Sequence, residues 1–231
     1  MRQWWKEFKR RRMYRMVFGE RPMDLVFDVG ANEGAKSRTF LSLGARVIAI
    51  EPQPSCVEKL KEMANTNSRL KVLEMAVTNL EGTALLRLGS HSEISTLSME
   101  MVERYTVPGA ITWTESITVR AVTPNALFEQ YGVPDLLKLD CEGYDHVIIA
   151  GLSRSPAIIE FEFLQHFLKE SLGAISHLAD LADYEFNFSP FESAKLISAK
   201  WRSSDEISSW LRSNANTFIH GNIFARKRLP R

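Results

Sequence analysis

Phe27-Asp28-Val29-Gly30-Ala31-Asn32-Glu33-Gly34 decides the fold. An apolar run at 24–29 reads as a short buried strand that delivers the chain into a glycine-bounded turn. Residues 35–43 look helical, and Gly44 stands where a helix C-terminus favours glycine. Downstream the same unit repeats. RVIAIE at 46–51 is a second strand closed by Pro52, and Val57, Leu60, Met63 and Ala64 give 55–65 an amphipathic helical spacing. LKVLEMAV at 70–77 is a third strand, and TALLRL at 83–88 follows the Asn79–Gly82 turn as a hairpin extension. SITVRAV at 116–122 leads into Thr123-Pro124, an N-cap followed by proline at the first helical position. DLLKLDC at 135–141 and AIIEFEF at 157–163 are buried strands, separated by a helix over 143–152 that Gly151 ends. A helix over 171–182, strands at YEFNF (184–188) and AKLISAK (194–200), a helix over 205–213 and a last strand at 217–227 complete the chain. Strands alternating with helices predict an α/β fold, doubly wound on a mostly parallel seven-stranded sheet. Such sheets bind ligands beyond the carboxyl ends of their strands, where the strand order reverses.

The 231 residues are 45% hydrophobic and 25% charged, the balance of a globular domain with a real core. Length and pattern set apart a helical N-terminal extension, 1–20, from one domain spanning 21–231. No apolar run approaches the ~18 residues of a membrane-spanning helix, and no secretory leader is read at the N-terminus. Two cysteines, Cys56 and Cys141, suit a reduced, cytoplasmic setting better than a disulfide framework. Residues 1–15 carry seven Lys/Arg and Glu7 alone among acids, and 226–231 carry four more basic residues. Of the chain's 29 basic and 28 acidic residues, 18 and 27 therefore remain for 16–225, a net of −9. An acidic body speaks against nucleic acid as a partner, because a duplex or strand needs an extended basic face.

Three motifs carry chemistry. The glycine turn is not the dinucleotide pattern, since Ala31 and Asn32 replace its middle glycine, and it lacks a phosphate loop's Lys-Ser/Thr. With a helix N-terminus behind it, the turn suits a small anion such as a carboxylate. Glu51 ends the second strand about twenty residues later, where a carboxylate accepts hydrogen bonds from a ribose diol. The two together point to a nucleoside ligand with no phosphate requirement, and S-adenosylmethionine has both a ribose and a carboxylate. The third motif is Lys138-Leu139-Asp140-Cys141-Glu142-Gly143-Tyr144-Asp145. Lys138 and Asp140 share a face by the two-residue period. Packing alone explains so many polar groups at an apolar strand's end poorly, although Asp145 equally suits the next helix's N-terminus.

FDVGANEG, IEPQP and LLKLDCEGYDHVIIAG together resemble the FkbM-type methyltransferases, whose pattern runs roughly DVGANxG, EP, then KIDVEGxE. The resemblance covers about residues 24–165, and its KxDxEG element is the most specific part. Ser95-Thr96-Leu97 also resembles the family, whereas Pro124-Asn125 departs from its usual Thr-Leu-Asp. The resemblance implies a Rossmann-like fold of the class I methyltransferase type, S-adenosylmethionine as cofactor, and O-methylation of a sugar, glycan or secondary-metabolite hydroxyl. On that reading Gly30, Ala31, Asn32 and Gly34 hold the donor's methionine end and Glu51 binds its ribose. Glu74, Met75 and Ala76 flank the adenine, and Asp28 and Pro52 complete the cofactor set. Asp140, Glu142 and Glu162 form the candidate catalytic set, with Asp140 also lining the cofactor. One rival is a nicotinamide oxidoreductase, disfavoured by the glycine spacing. Another is a catalytically inactive cofactor-binding or membrane-surface module of the same fold.

Glu160 and Glu162 share a strand face near His166, where a carboxylate or imidazole could serve as general base. His91 lies near the start of the irregular segment 90–115, a candidate lid. His146, His177 and His220 read as structural. No clustered His or Asp set signals a metal. Trp4, Trp5 and Phe8 among basic residues suit either docking to protein, as in a homo-oligomer, or a peripheral contact with an anionic membrane.

Overall fold

A computed structural model describes residues 2–106, 111–191, 193–215, 217 and 219–229. Its main sheet has seven strands: β1 (Leu25–Val29), β2 (Arg46–Ile50), β3 (Leu70–Leu73), β7 (Leu136–Leu139), β8 (Ile158–Leu164), β9 (Tyr184–Pro190) and β10 (His220–Lys227). Their order is β3-β2-β1-β7-β8-β10-β9, and only β10 runs antiparallel to its two neighbours. The order reverses between β1 and β7, whose register sets Val29 opposite Leu139. A second sheet of β4 (Ala76–Val77), β6 (Trp113–Val122) and β5 (Gly82–Gly89) stands beside it. This is the doubly wound, mostly parallel seven-stranded architecture read from the sequence.

Strand residues alternate between two apolar layers. Phe27, Val29, Ile48, Leu137 and Phe161 face one. That layer is closed by α5 (Pro124–Tyr131), α6 (Asp145–Ala150), α7 (Leu168–Leu181) and α8 (Ser204–Ser213). Val26, Val47, Leu136, Ile158 and Phe224 face the other, beneath α1 (Arg2–Phe18), α2 (Ala35–Ser42) and α3 (Pro54–Asn65). Two-sided burial is why the parallel strands read as nearly continuous apolar runs rather than as alternating ones.

The N-terminal helix packs onto the sheet, and two strand readings need correction. Met13, Tyr14, Val17 and Phe18 of α1 are buried in the second layer, and Tyr14 packs edge-on to Phe40. Four apolar residues in adjacent pairs one turn apart make that half of α1 a sheet-covering helix. Next, LKVLEMAV is two strands. The chain leaves the main sheet after Leu73 and joins the small sheet at Ala76, pairing with β6. Last, AKLISAK is not a strand. It runs along the outer side of the edge strand β9 with one main-chain hydrogen bond to it, Ile197 N–H to the Phe188 carbonyl at 2.9 Å, too few to make a strand ladder.

Within segment 90–115, Ser92–Ile94 forms a short 3-10 turn and Met99–Tyr105 forms α4. Pro108-Gly109 lies outside the described residues. Among the described residues, no helix is long and apolar enough to cross a membrane.

Candidate active site

A cleft of about 700 Å³ opens beyond the carboxyl ends of β1, β2 and β7, a size suited to a small-molecule ligand. Its first wall is the turn after β1. Gly30 has φ of 66°, and a Cβ there would lie 2.0 Å from the Asp140 carbonyl oxygen. Only glycine lets β7 come this close. Asn32, with φ of 48°, continues the left-handed path. The turn's N–H groups are all taken: Gly30 and Ala31 donate to the Ile50 carbonyl and Asn32 to Glu51, both at the end of β2, while Glu33 donates to the Asn32 side chain and Gly34 to the Ala31 carbonyl. The amides open to an anion are therefore not in the turn but just beyond it. Ala35 and Lys36, in the first turn of α2, have no intrahelical N–H partner and line the cleft.

Glu51 is buried at the second wall. Its Oε2 accepts from Asn32 N–H at 2.7 Å and its Oε1 from Gln53 N–H at 2.9 Å. Burial raises its carboxyl above the ordinary range, and these two amides partly offset the rise. Each oxygen keeps a lone pair beyond the amide it accepts from, as a diol-binding carboxylate requires. Met75, Ala76, Val77, Leu86 and Leu97 supply an apolar wall. The segment after β5 covers this side and is tied to both rims. Ser95 Oγ donates to Gln53 Oε1 at 2.6 Å, and Thr96 Oγ1 to the Glu142 carbonyl at 2.7 Å.

The third wall is the end of β7 with its charges. Lys138 is almost fully buried, with Nζ 2.8 Å from Asp28 Oδ1 and 3.4 Å from Asp140 Oδ2, and it donates to the Gly30 carbonyl at 3.0 Å. Lys36 Nζ lies 3.1 Å from Asp140 and 3.5 Å from Glu160. Burial disfavours both ammonium groups, yet the surrounding carboxylates outweigh it and raise both. Burial alone would raise Asp140 too, but Lys36 and Lys138 override it and hold the carboxyl down at about 2. Glu142 and Glu162 go the other way. Burial, then the charge of Asp140 and its acidic neighbours, pushes both well above the usual carboxylate range. Glu142 has φ of 48°, a left-handed conformation that costs a non-glycine residue energy and is met at functional sites. Glu162 Oε2 is buried without a hydrogen-bond partner. One oxygen each from Asp140, Glu142 and Glu162 falls within 4.8 Å of the others. β8 brings Glu162 to this set through its parallel pairing with β7. Lys36 and Lys138 already bring positive charge against it.

The structure thus gathers Gly30, Ala31, Asn32, Glu51, Pro52, Met75, Ala76, Asp140, Glu142 and Glu162 around one cleft. Three expected residues stand elsewhere. Asp28 lies behind the wall, accepting from Ser37 Oγ at 2.6 Å and pairing with Lys138, so it supports the site without lining it. Gly34 caps α2 against Leu60 and Met63. Glu74 is exposed and paired with Lys61 at 2.9 Å, because the bend between β3 and β4 turns it outward. Asp145 is a buried clamp at the start of α6, accepting from the amides of Cys141 at 2.8 Å and Glu162 at 2.9 Å. His91 and His166 do not line the cleft. Sequence reasoning missed Lys36 and the contributions of Lys6 and Arg10 from α1, which line the cleft, and Gln53, which donates to Glu51 and accepts from Ser95 behind it. Of these only Lys36 carried a signal, as a cation in the first turn after the glycines, where acids are favoured.

Residues 28–215 match the family model for the methyltransferase FkbM domain. The 2-O-methyltransferase NoeI of Sinorhizobium fredii (strain NBRC 101917 / NGR234) is 29% identical over 65 residues, which are 27% of this chain and 27% of that protein. The match thus spans about a quarter of that relative's length. Among solved structures, precorrin-6y C5,15-methyltransferase from Geobacter metallireducens GS-15 superposes with a TM-score of 0.49 at 11% identity, covering 94% of this chain and 87% of that one. The N-terminal domain of EvdMO1, in the presence of SAH and D-fucose, gives 0.48 at 10% identity over 96% and 83% of the two chains. Both likenesses are distant, whereas the family model takes in most of the sequence from β1 to the end of α8, and the chain belongs to the FkbM methyltransferase family.

Proposed function

We propose that this protein is an S-adenosylmethionine-dependent O-methyltransferase acting on a hydroxyl of a sugar, glycan or secondary metabolite. The observation that carries the reading is Glu51: a buried carboxylate pinned by two amides, facing the cleft that also holds the β7 carboxylates. The site fits the donor's parts. Glu51 accepts from a ribose diol, the α2 N-terminus faces a carboxylate, and the apolar wall of Met75, Val77 and Leu97 takes an adenine.

When bound, the donor supplies a methyl group already activated by its sulfonium, so alignment of an in-line transfer is the protein's main task. Asp140, held ionised by Lys36 and Lys138, lies with Glu142 where positive charge is stabilised. The acceptor hydroxyl must lose a proton. The raised affinity of Glu142 and Glu162 for protons makes this pair a stronger base than an ordinary carboxylate once it ionises. Because the three carboxylates interact, their titration belongs to the cluster and not to one residue.

The test is transfer of a labelled methyl group from S-adenosylmethionine to a panel of sugars, glycans and hydroxylated metabolites. Labelled methyl ether, released with an equal amount of S-adenosylhomocysteine, is the expected result. Donor binding with no transfer to any hydroxyl in the panel would favour an inactive cofactor-binding module.

A further inference from the structure

A second cavity, about 300 Å³, lies between α1, the start of α2 and the ends of β9 and β10. Lys6, Arg10 and Lys36 line both spaces, so the two share a wall. Four cations edge the second cavity, Lys6, Lys9, Arg10 and Lys36, against one carboxylate, Glu160. That carboxylate is already answered: Tyr14 donates to it at 2.7 Å and Lys36 lies 3.5 Å away. Among the described residues, Lys6 and Lys9 have no carboxylate partner. This excess of positive charge stands out on a body whose net charge over 16–225 is −9. The far wall is of another kind. Ser189 and Asn222 present polar side chains that hydrogen-bond to no described residue, and exposed Phe191 offers an aromatic face.

We infer that this cavity is the acceptor subsite and that it takes a phosphorylated sugar. The inference rests on the methyltransferase reading for the direction in which the acceptor faces. Lys6 and Lys9 receive the phosphate, an anion that compact ammonium groups bind as point charges. Ser189 and Asn222 receive sugar hydroxyls. The hydroxyl that accepts the methyl group points across the shared wall at Lys36 toward Asp140. A neutral sugar would leave the cations at the mouth unused, and an apolar metabolite would leave Ser189 and Asn222 without partners.

Calorimetry on the full chain, with and without S-adenosylhomocysteine, tests this with glucose 1-phosphate, inorganic phosphate and glucose as probes. Glucose 1-phosphate should bind at least tenfold more tightly than glucose, and inorganic phosphate should compete with it. Lys9→Glu and Asn222→Asp, which touch only the second cavity, should each weaken glucose 1-phosphate at least fivefold and leave S-adenosylhomocysteine within twofold. Two results would overturn the inference: neither phosphate-bearing probe binds, or Lys9→Glu leaves their affinity unchanged. If S-adenosylhomocysteine itself does not bind, it is the donor reading that fails, and the phosphate arm is still read independently.

Discussion

Lys138→Met tests the scaffold on which the active site stands. Lys138 Nζ is enclosed by Asp28 at 2.8 Å, Asp140 at 3.4 Å and the carbonyls of Val29 and Gly30 at 3.2 and 3.0 Å. Methionine is one atom shorter and carries no charge. Asp28, fully buried, would keep only the Ser37 hydroxyl as a donor. Removing one partner of a buried ion pair costs about 3–5 kcal/mol, because the other charge is left uncompensated. For a domain of this size about 1 kcal/mol moves the melting temperature by roughly 2–4 °C, so a fall on the order of 6–20 °C is expected. Adding Asp28→Asn removes the stranded charge while keeping an acceptor for Ser37, and should recover at least half of the loss. Differential scanning calorimetry on the four proteins of the cycle reads the coupling directly. A single substitution that shifts the melting temperature by less than about 2 °C, or a double variant no more stable than Lys138→Met, would refute the reasoning.

Glu142→Gln and Glu162→Gln should each fold and retain the donor, yet lose methyl transfer by roughly 10²–10⁴-fold where the group takes the proton; two amides with normal turnover would misplace the site. Transfer should persist in EDTA, because Lys36 and Lys138 already bring charge to the cluster, and activity lost there and restored by magnesium would contradict this. Burial, then the charge of Asp140, raises Asp145 from 3.8 to about 6. The folded state therefore holds this proton more tightly than the unfolded chain. Stability relative to Asp145→Asn should fall by about 3 kcal/mol as pH rises from about 4 to above 6, and a pH-independent difference in chemical denaturation would rule that out. Trp4, Trp5 and Phe8 are exposed, so replacing all three with serine should leave the melting temperature unchanged while removing an association. Sedimentation with and without anionic vesicles shows whether the lost partner is a second chain or a membrane, and no change in either would leave the aromatic cluster without a docking role. A truncation for the same purpose must stop before Met13, which belongs to the core.

The legible parts of the sequence were those written in one segment. The β1 turn, Glu51 at the end of β2 and the β7 motif each sit at a strand end. A doubly wound sheet brings strand ends together, so topology alone collected them at one cleft. What stayed hidden depends on pairing or side-chain direction. Glu74 falls in the cofactor set only if β3 runs on to 77, and the bend after Leu73 turns it to solvent. AKLISAK has strand composition but makes only one main-chain hydrogen bond to the edge strand β9. The charges and aromatics of α1 dominate its first three turns and hide the four buried apolar residues of its last turns that fix it to the sheet. The Lys36–Asp140–Lys138–Asp28 network joins three separate elements, and no local spacing announces such a constellation.

The central claim, that the cleft binds S-adenosylmethionine through Glu51, is tested most directly by calorimetric titration of the full chain and Glu51→Ala. The methyl donor and NAD are run in parallel. The wild-type chain should bind the donor and not NAD. Glu51→Ala should weaken the donor by about 1.5–3 kcal/mol, roughly ten- to a hundredfold, through lost charge-assisted hydrogen bonds to the ribose. Binding of NAD without the methyl donor, or a Glu51→Ala chain that binds the donor as tightly as wild type, would contradict the account.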